Sequence, residues 1–556
     1  MDKYEKVLEL AKRRGFLWPS FEIYGGTAGF YDYGPLGTLL KRHVEEKWRK
    51  LYTIKEGFFE IETPTVNPQE VFIASGHVEG FTDPVIECAR CAEVFRADHL
   101  IEGEDVITKD RILELLKKFN VKCPECGGDL GNLDEVTLMF KTKIGLKRQG
   151  YLRPETAQGI FTDFNRLLRF YRDHLPFGVV QIGKAYRNEI SPRQGVLRLR
   201  EFTLAEVEIF VDPNNMSHKR FDEVKDFALR LVPMDQKEVN MSIGKAVKGG
   251  IIVNEFIAYY MVRTYEFLTD IGLCPDKLRF RQHLKDERAH YAADCWDAEA
   301  LSERFGWVEI VGIADRTNYD LSSHSAESQT DMSVLVPYDE PKTVKKLIIK
   351  PDMGKIGPIF KEKSGMVLDS LKELCLEELD KDPIEINVDG ETICVEKSLV
   401  DIKVVDEKVT GENVVPRVIE PSYGIDRIIY LLLEHSFYEE EVNGETRTVL
   451  RLSNKVSPLQ VAVLPLMSRE ELVIKAKEIA STLKEMNFLV DYDDNGSIGR
   501  RYRRQDEVGT PYSITIDYEN SIDNNEVTIR YRDTMEQDKV DISKISDVMG
   551  GLLLSK

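Results

Sequence analysis

Residues 178–211 constrain the fold more tightly than any other stretch. Two strand-like runs, Gly178 to Arg187 and Val196 to Val211, flank the loop NEISPRQG, which predicts an antiparallel pair. Charge gathers where the strands meet that loop. Tyr186-Arg187-Asn188-Glu189 closes the first run, and Arg198-Leu199-Arg200-Glu201-Phe202 opens the second. Arginine carries a planar, permanently charged fork that grips phosphate oxygens in pairs, so two facing arginine-bearing strands can hold a polyphosphate. Phe202 beside them can stack on a base. Any one of these arginines taken alone is more often half of a solvated cross-strand ion pair. Five charged or aromatic residues in this arrangement turn the balance toward a ligand site.

Two further blocks share the same logic. Gly34-Pro35 opens a helical pattern with Leu36, Leu39, Leu40, His43, Val44, Lys47, Trp48 and Leu51 on one side, followed by a short strand, Phe58 to Glu62, closed by Thr63-Pro64. Downstream, Glu420-Pro-Ser-Tyr-Gly-Ile-Asp-Arg427 runs into IIYLLLEH. This predicts a strand-turn-helix junction whose glycine lets backbone approach a ligand closely.

The rest of the chain bounds these motifs. At 556 residues it exceeds one ordinary domain, and 42% hydrophobic with 31% charged residues is a globular composition, not a disordered or fibrous one. Ile251 to Leu273 is the most apolar stretch, yet Glu255, Arg263 and Glu266 interrupt it, so it predicts a buried helix and no membrane partner. MDKYEKVLELAKRRGF predicts a helix with Val7, Leu8 and Leu10 inward and lacks a secretory signal's apolar core. Eight cysteines without such a signal point to a reducing, cytoplasmic setting. A net charge of −20 excludes a general nucleic-acid coat protein but leaves room for local arginine patches.

Residues 80–145 read as an insertion, 213–300 as mainly helical, and about 335–415 as a second insertion whose alternation IEINVDGETICVEKSLV predicts a small sheet. A fresh α/β pattern begins near 456, with strands LQVAVLPL, NFLVDYD, YSITIDY and EVTIRYR and a helix from Arg469 to Met486. In the first insertion, Cys88-Ala-Arg-Cys91 and Cys123-Pro-Glu-Cys126-Gly-Gly form two CxxC pairs. Four thiolates suit tetrahedral Zn²⁺ with no open position, a structural site, with unbound or redox cysteines as the alternative. Cys274, Cys295, Cys375 and Cys394 are scattered and read as small core residues. Arg500, Arg501, Arg503 and Arg504 make GRRYRR a local basic island flanked by Asp493, Asp494, Asp506 and Glu507.

In this order, the three blocks resemble the signature motifs of class II aminoacyl-tRNA synthetases. YLRPETAQGIF, YRNEISPRQG, REFTLAEVEIF, GIADRTNYDLSSH and EPSYGIDR narrow the resemblance to glycyl-tRNA synthetases of the archaeal and eukaryotic type. Ser422 and Asp426 stand where the general third motif has glycines, which leaves Gly424 as the sole glycine of that set. YDDNGSIGRRYRRQDEVGTPYSITID resembles the anticodon-binding domain of the same subclass. The resemblance implies an α+β fold: an antiparallel sheet flanked by helices over 1–455, dimerised through its first motif, and an α/β anticodon-binding domain over 456–556. It implies ATP, Mg²⁺, glycine and tRNA(Gly) as ligands of a homodimer.

Residue by residue, the resemblance implies that Arg187 binds the α-phosphate, Glu189 the adenine amino group, and Phe202 stacks under adenine. Arg427 would hold the far phosphates and Arg198 would assist. Glu309 would act through magnesium, with Ile310 lining that place. Asn188, Leu197, Leu199, Arg200, Glu201, Gly424, Ile425 and Asp426 would complete the nucleotide site. Glu155, Glu206, Glu420 and Ser422, with Arg96 and Phe202, would surround glycine. Arg193, Arg500, Arg501 and Arg503 would meet tRNA. Several carboxylates can grip an ammonium while tight walls exclude larger amino acids, so no editing site is required. The rivals are another synthetase of the subclass and a non-catalytic nucleic-acid-binding protein on the same fold.

Overall fold

The computed structural model describes the chain except for residues 102–108, 191, 193, 235, 286, 288–291, 375, 389 and 555–556, and gives backbone alone at 99, 346, 373, 376, 377 and 554. Arg193 and Cys375 thus lie outside the described residues. The chain forms two compact units: Met1–Met332 with Val415–Lys556, and Ser333–Val414.

Nine strands build the main sheet of the first unit. They are β1 (Phe59–Glu60), β2 (Phe177–Tyr186), β3 (Glu201–Val211), β4 (Ala228–Val232), β5 (Val239–Ser242), β6 (Leu278–Gln282), β7 (Asp294–Ser302), β8 (Gly306–Thr317) and β9 (Arg417–Gly424). Their order is β5-β4-β6-β7-β8-β9-β3-β2-β1, antiparallel at every join except β4/β6 and β2/β1. Side chains alternate between faces along a strand, so one sequence serves two purposes. Ala205, Val207 and Ile209 of β3, Val311 and Ile313 of β8 and Tyr423 of β9 join the apolar core. Packed into that core are helices α1 (Lys3–Arg13), α2 (Pro35–Arg49), α3 (Glu255–Asp270) and α4 (Ile425–Ser436). On the other face, one register row runs Gln181, Glu206, Ser422, Gly312, Asp297, Arg281 across six strands.

Helix α2 starts at Pro35 and buries Leu40, Val44 and Trp48 at the spacing expected. Gly37 belongs to that buried face: a Cβ there would lie 1.9 Å from the Phe16 carbonyl oxygen. Two expectations need correction. Val196 to Arg200 is not strand; Gly195–Leu197 is a single 3₁₀ turn, and β3 begins at Glu201. The Leu197 carbonyl accepts from Arg427 and the Arg198 and Arg200 side chains reach back to Glu189, so this segment bonds to the site instead of to a ladder. Residues 213–300 are not mainly helical either. They hold β4 to β7, and among the described residues the α-helices are Ile243–Lys248 and α3, with short 3₁₀ turns at Phe221–Glu223 and Pro275–Lys277. Runs such as LRFRQ and DCWDAEALS alternate core-facing apolar residues with polar ones turned to the site, a strand period that the helical reading overlooked.

The segment 80–145 contains a three-stranded sheet, Thr82–Cys88, Val94–Arg96 and Leu130–Thr137, and a helix, Lys109–Lys118. After a hairpin of Phe437–Val442 and Glu445–Leu450 comes a five-stranded sheet in the order Val490–Tyr492, Val461–Pro465, Tyr512–Ile516, Glu526–Tyr531, Gln537–Asp541. Helices α5 (Glu470–Glu485) and α6 (Ile498–Val508) belong to this part, which has its own apolar core around Val463, Ile479 and Ile514. The second unit is a ribbon of Val334–Pro351 paired with Val400–Val414, whose first and last residues face each other. Beyond it, helices and the hairpin Ile384–Val388/Glu391–Val395 enclose Ile356, Val367, Leu371 and Ile386. No helix among the described residues is long and apolar enough to cross a membrane.

Candidate active site

The end of β2, the turn into β3, β8 and the β9–α4 junction enclose a cleft of about 700 Å³. Arg187, Glu189, Leu197, Arg198, Leu199, Phe202, Glu309, Ile310, Gly424, Asp426 and Arg427 line it. Residues remote in sequence thus meet because neighbouring strands present them in register. The Arg187 guanidinium lies over the Phe202 ring at 5.3 Å and over Phe81 at 5.5 Å. Opposite, Arg427 donates to the Leu197 carbonyl at 3.1 Å, the Glu309 carbonyl at 2.9 Å and the Glu309 carboxylate at 3.1 Å. Burial would raise the Glu309 carboxyl, but Arg427 and then Arg187 hold it below the usual carboxylate range. Arg198 pairs with Glu189 at 3.2 Å.

Four expected nucleotide residues sit behind the wall. Arg200 donates to the carbonyls of Glu189 and Ala28, the Asn188 N–H to that of Leu138, Glu201 pairs with Lys184 and Ile425 is core. Asp426 lines the cleft, yet its carboxylate accepts from the Tyr33 hydroxyl and the Thr203 N–H. An aspartate in place of a glycine therefore pins the start of α4 to β3.

Beside the cleft lies a buried cluster of acidic side chains. Glu206 accepts from the Thr156 N–H and hydroxyl on one oxygen and from the Ser422 hydroxyl, at 2.6 Å, on the other. Glu155 accepts from Gln158 at 2.8 Å and stands 3.6 Å from His77. Sequence reasoning missed the residue that organises this pocket, Arg316. It is 1% exposed and reaches Asp320 at 2.8 and 2.9 Å, Glu420 at 2.9 Å and Glu155 at 3.4 Å. An arginine closing the apolar strand GIADR, four residues before Asp320, was the available signal.

One arginine among so many carboxylates leaves them unequal. Burial raises Glu155, but Arg316 and His77 hold it far below the usual range. Burial, with the charges of Glu206 and Glu155, pushes Glu420 up to about 8 despite Arg316. Burial and the charge of Glu420 also raise Glu208 well above the usual carboxylate range; it is fully buried, with neither carboxyl oxygen hydrogen-bonded. Arg96 stands apart from this group. It pairs with Asp83 at 2.9 Å and Asp98 at 2.6 Å, and among the described residues no hydrogen bond joins it to the three glutamates.

The four motif cysteines converge in the 80–145 insertion. The Cys88 and Cys126 sulfurs are 3.5 Å apart, those of Cys91 and Cys123 3.7 Å. Backbone N–H groups of Cys91 and Arg90 lower the Cys88 thiol to about 6, whereas the contacts among the sulfurs raise Cys91 and Cys126. A Cβ on Gly128 would press within 3.2 Å of Cys126 and 3.3 Å of Cys88 sulfur, so the knuckle requires that glycine. This cradle fits one tetrahedral ion.

On α6 the basic island divides. Arg500 is exposed and Arg503 half-buried. Arg501 corrects the expectation of a tRNA contact: it is 1% exposed, and its guanidinium donates to the carbonyls of Pro465, Asp493, Leu466 and Gly496. A buried fork already given to backbone acceptors has nothing to offer a phosphate.

Known families agree with this layout. Residues 140–436 match the tRNA synthetase class II core domain (G, H, P, S and T), and residues 460–551 match an anticodon binding domain. A glycine–tRNA ligase of Methanothrix thermoacetophila is 54% identical over 100% of this chain and 97% of its own length. Those of Methanocaldococcus jannaschii and Pyrococcus furiosus are each 52% identical, over 99% and 98% of this chain and 98% of theirs. The solved Giardia lamblia prolyl-tRNA synthetase in complex with prolyl-adenylate shares the fold at a TM-score of 0.55 and 14% identity, covering 99% of this chain and 75% of that one.

Proposed function

The chain belongs to the class II glycine–tRNA ligases, and from that premise we propose how its residues divide the work of activating glycine with ATP and passing it to tRNA(Gly). The observation that carries the assignment is the junction of two sites: a cleft between Arg187 and Arg427, and a buried acidic cluster joined to it through Ser422. Adenine stacks on Phe202 with its amino group toward Glu189, Arg187 takes the α-phosphate, and Arg427, helped by Arg198, takes the outer phosphates. The ammonium of glycine enters among Glu155, Glu206 and Glu420, where Arg316 fixes the carboxylates and leaves no room for a side chain. The glycine carboxylate then attacks the α-phosphorus in line, and no general base is needed. Glu309, exposed at the cleft, would hold Mg²⁺, which when bound offsets charge on the phosphates.

Residues 1–455 are the proposed catalytic domain, with insertions at 80–145 and about 335–415, and 456–556 the anticodon-binding domain. Arg500 and Arg503 face tRNA, as Arg193 would. The four cysteines hold structural Zn²⁺. Short edge strand β1, with Phe59 53% exposed against Phe170 59% exposed, supports a homodimer through this edge. The described cysteines are unpaired, which suits a cytoplasmic setting. Metal analysis and light scattering on the purified protein decide the zinc and the dimer. The central test is ATP–pyrophosphate exchange with each of the twenty amino acids. Glycine alone supports rapid exchange, and Glu206→Ala or Glu420→Ala costs about 1.5–3 kcal/mol in glycine kcat/KM. Equal exchange with a second amino acid, or unchanged kinetics in both variants, defeats the pocket assignment.

A further inference from the structure

Next to Gly312 of the cleft lining, on the neighbouring strand, lies a second set of donors with no part in activation. Cys295 and Asp297 are alternate residues of β7, so their side chains leave the sheet on one face. His283 follows β6, and its N–H donates to the Cys295 carbonyl at 3.0 Å. One ligand atom from each of His283, Cys295 and Asp297 lies within 4.8 Å of the others, and the imidazole Nε2 is 2.8 Å from an Asp297 oxygen. Asp297 is buried and the other two are half-buried. Its register partner is Gly312, a residue of the cleft lining. A Cβ at 312 would come 4.0 Å from an Asp297 oxygen and 3.9 Å from a Glu309 oxygen.

A thiol, an imidazole and a carboxylate are a soft and borderline donor set. Mg²⁺ prefers oxygen alone, whereas zinc-class ions take this combination, commonly as three protein ligands with a fourth position open. The surrounding charge also favours a cation: Glu299 and Glu287 already neutralise Arg281, whose own contact to Asp297 is 3.3 Å, and Glu309 adds a carboxylate. The His283 Nδ1 is buried without a partner. On binding, the thiol gives its proton to solvent and the cation replaces the proton shared by His283 and Asp297. We propose that His283, Cys295 and Asp297 bind a thiophilic divalent cation of the zinc class.

Cobalt(II) reports the site directly, because cobalt–thiolate bonds absorb in the near ultraviolet. Titrating the zinc-loaded full chain with Co²⁺ gives one further equivalent with a thiolate band, absent in Cys295→Ser and weakened in His283→Ala. Absence of the band in the wild-type chain, or its persistence in Cys295→Ser, overturns the site.

Discussion

At the scale of single residues, the acidic pocket is a set of carboxylates that share too little positive charge. Arg316 reaches Asp320, Glu420 and Glu155, yet burial and the charges of Glu206 and Glu155 still push the Glu420 carboxyl up to about 8. The sign follows from that raised value. The neutral acid suits the empty pocket, so its contribution to stability is complete below the ordinary carboxylate range and is lost as pH rises through about 8. Glycine reverses the preference, because its ammonium favours the ionised form. The KM for glycine therefore falls as pH rises, by at most about tenfold per pH unit, and levels off above the apparent pKa. Exchange kinetics across that range in wild type and Glu420→Gln check this; a profile equally steep in the variant assigns the proton elsewhere. The glutamates and cleft arginines were expected from the family resemblance, and the structure gathers them into the cleft and the acidic cluster beside it. Arg316 was not: a lone arginine ending an apolar strand looks the same whether it is solvated or, as here, buried among four oxygens.

At the scale of elements, helix α6 shows how one basic run serves two ends. Helical periodicity turns Arg501 inward to cap four backbone carbonyls while Arg500 stays outside. Replacing Arg500 and Arg503 with alanine lowers tRNA charging, flattens its salt dependence and spares glycine-dependent exchange. Replacing Arg501 strips donors from buried acceptors and destabilises its domain by on the order of 3 kcal/mol. Charging, exchange and thermal unfolding measured on both variants separate the roles; identical behaviour would mean the run acts as one surface. The sequence could show that the run was basic but not which rung faced inward, since flanking aspartates fit either view. Helix α2 and the C-terminal strands were readable from simple periodicity. Strands β6 and β7 carried the same kind of signal, Leu278 and Phe280 or Trp296, Ala298 and Ala300 alternating with polar residues, and the helical reading of 213–300 passed over it.

For the molecule as a whole, a buried ionic knot joins the anticodon-binding part to what precedes it. Arg447, on the hairpin after α4, donates to Asp506 of α6 at 2.8 Å, and Arg530 donates to the same carboxylate at 2.8 and 3.1 Å. Arg447 and Asp506 are wholly buried. Removing Asp506 takes the carboxylate from buried Arg530 and one of three acceptors from Arg447, which keeps Glu440 and the Arg532 carbonyl, at a cost of about 3–5 kcal/mol. Asp506→Ala therefore splits one calorimetric transition into two, the C-terminal part melting first, while glycine-dependent exchange survives below that first transition. A single transition at an unchanged temperature would show that the knot does not couple the parts.

The second unit invites a different consequence. Its chain enters at Val334 and leaves at Val414, and these residues are paired across the ribbon. Closing a loop between points already in contact costs nearly the same entropy whether a few residues or many lie beyond them. To a genome, such a segment is editable text between fixed quotation marks. It can lengthen, shrink or diverge over generations without shifting the register of the strands that precede and follow it, so lineages sharing this enzyme are free to vary here first.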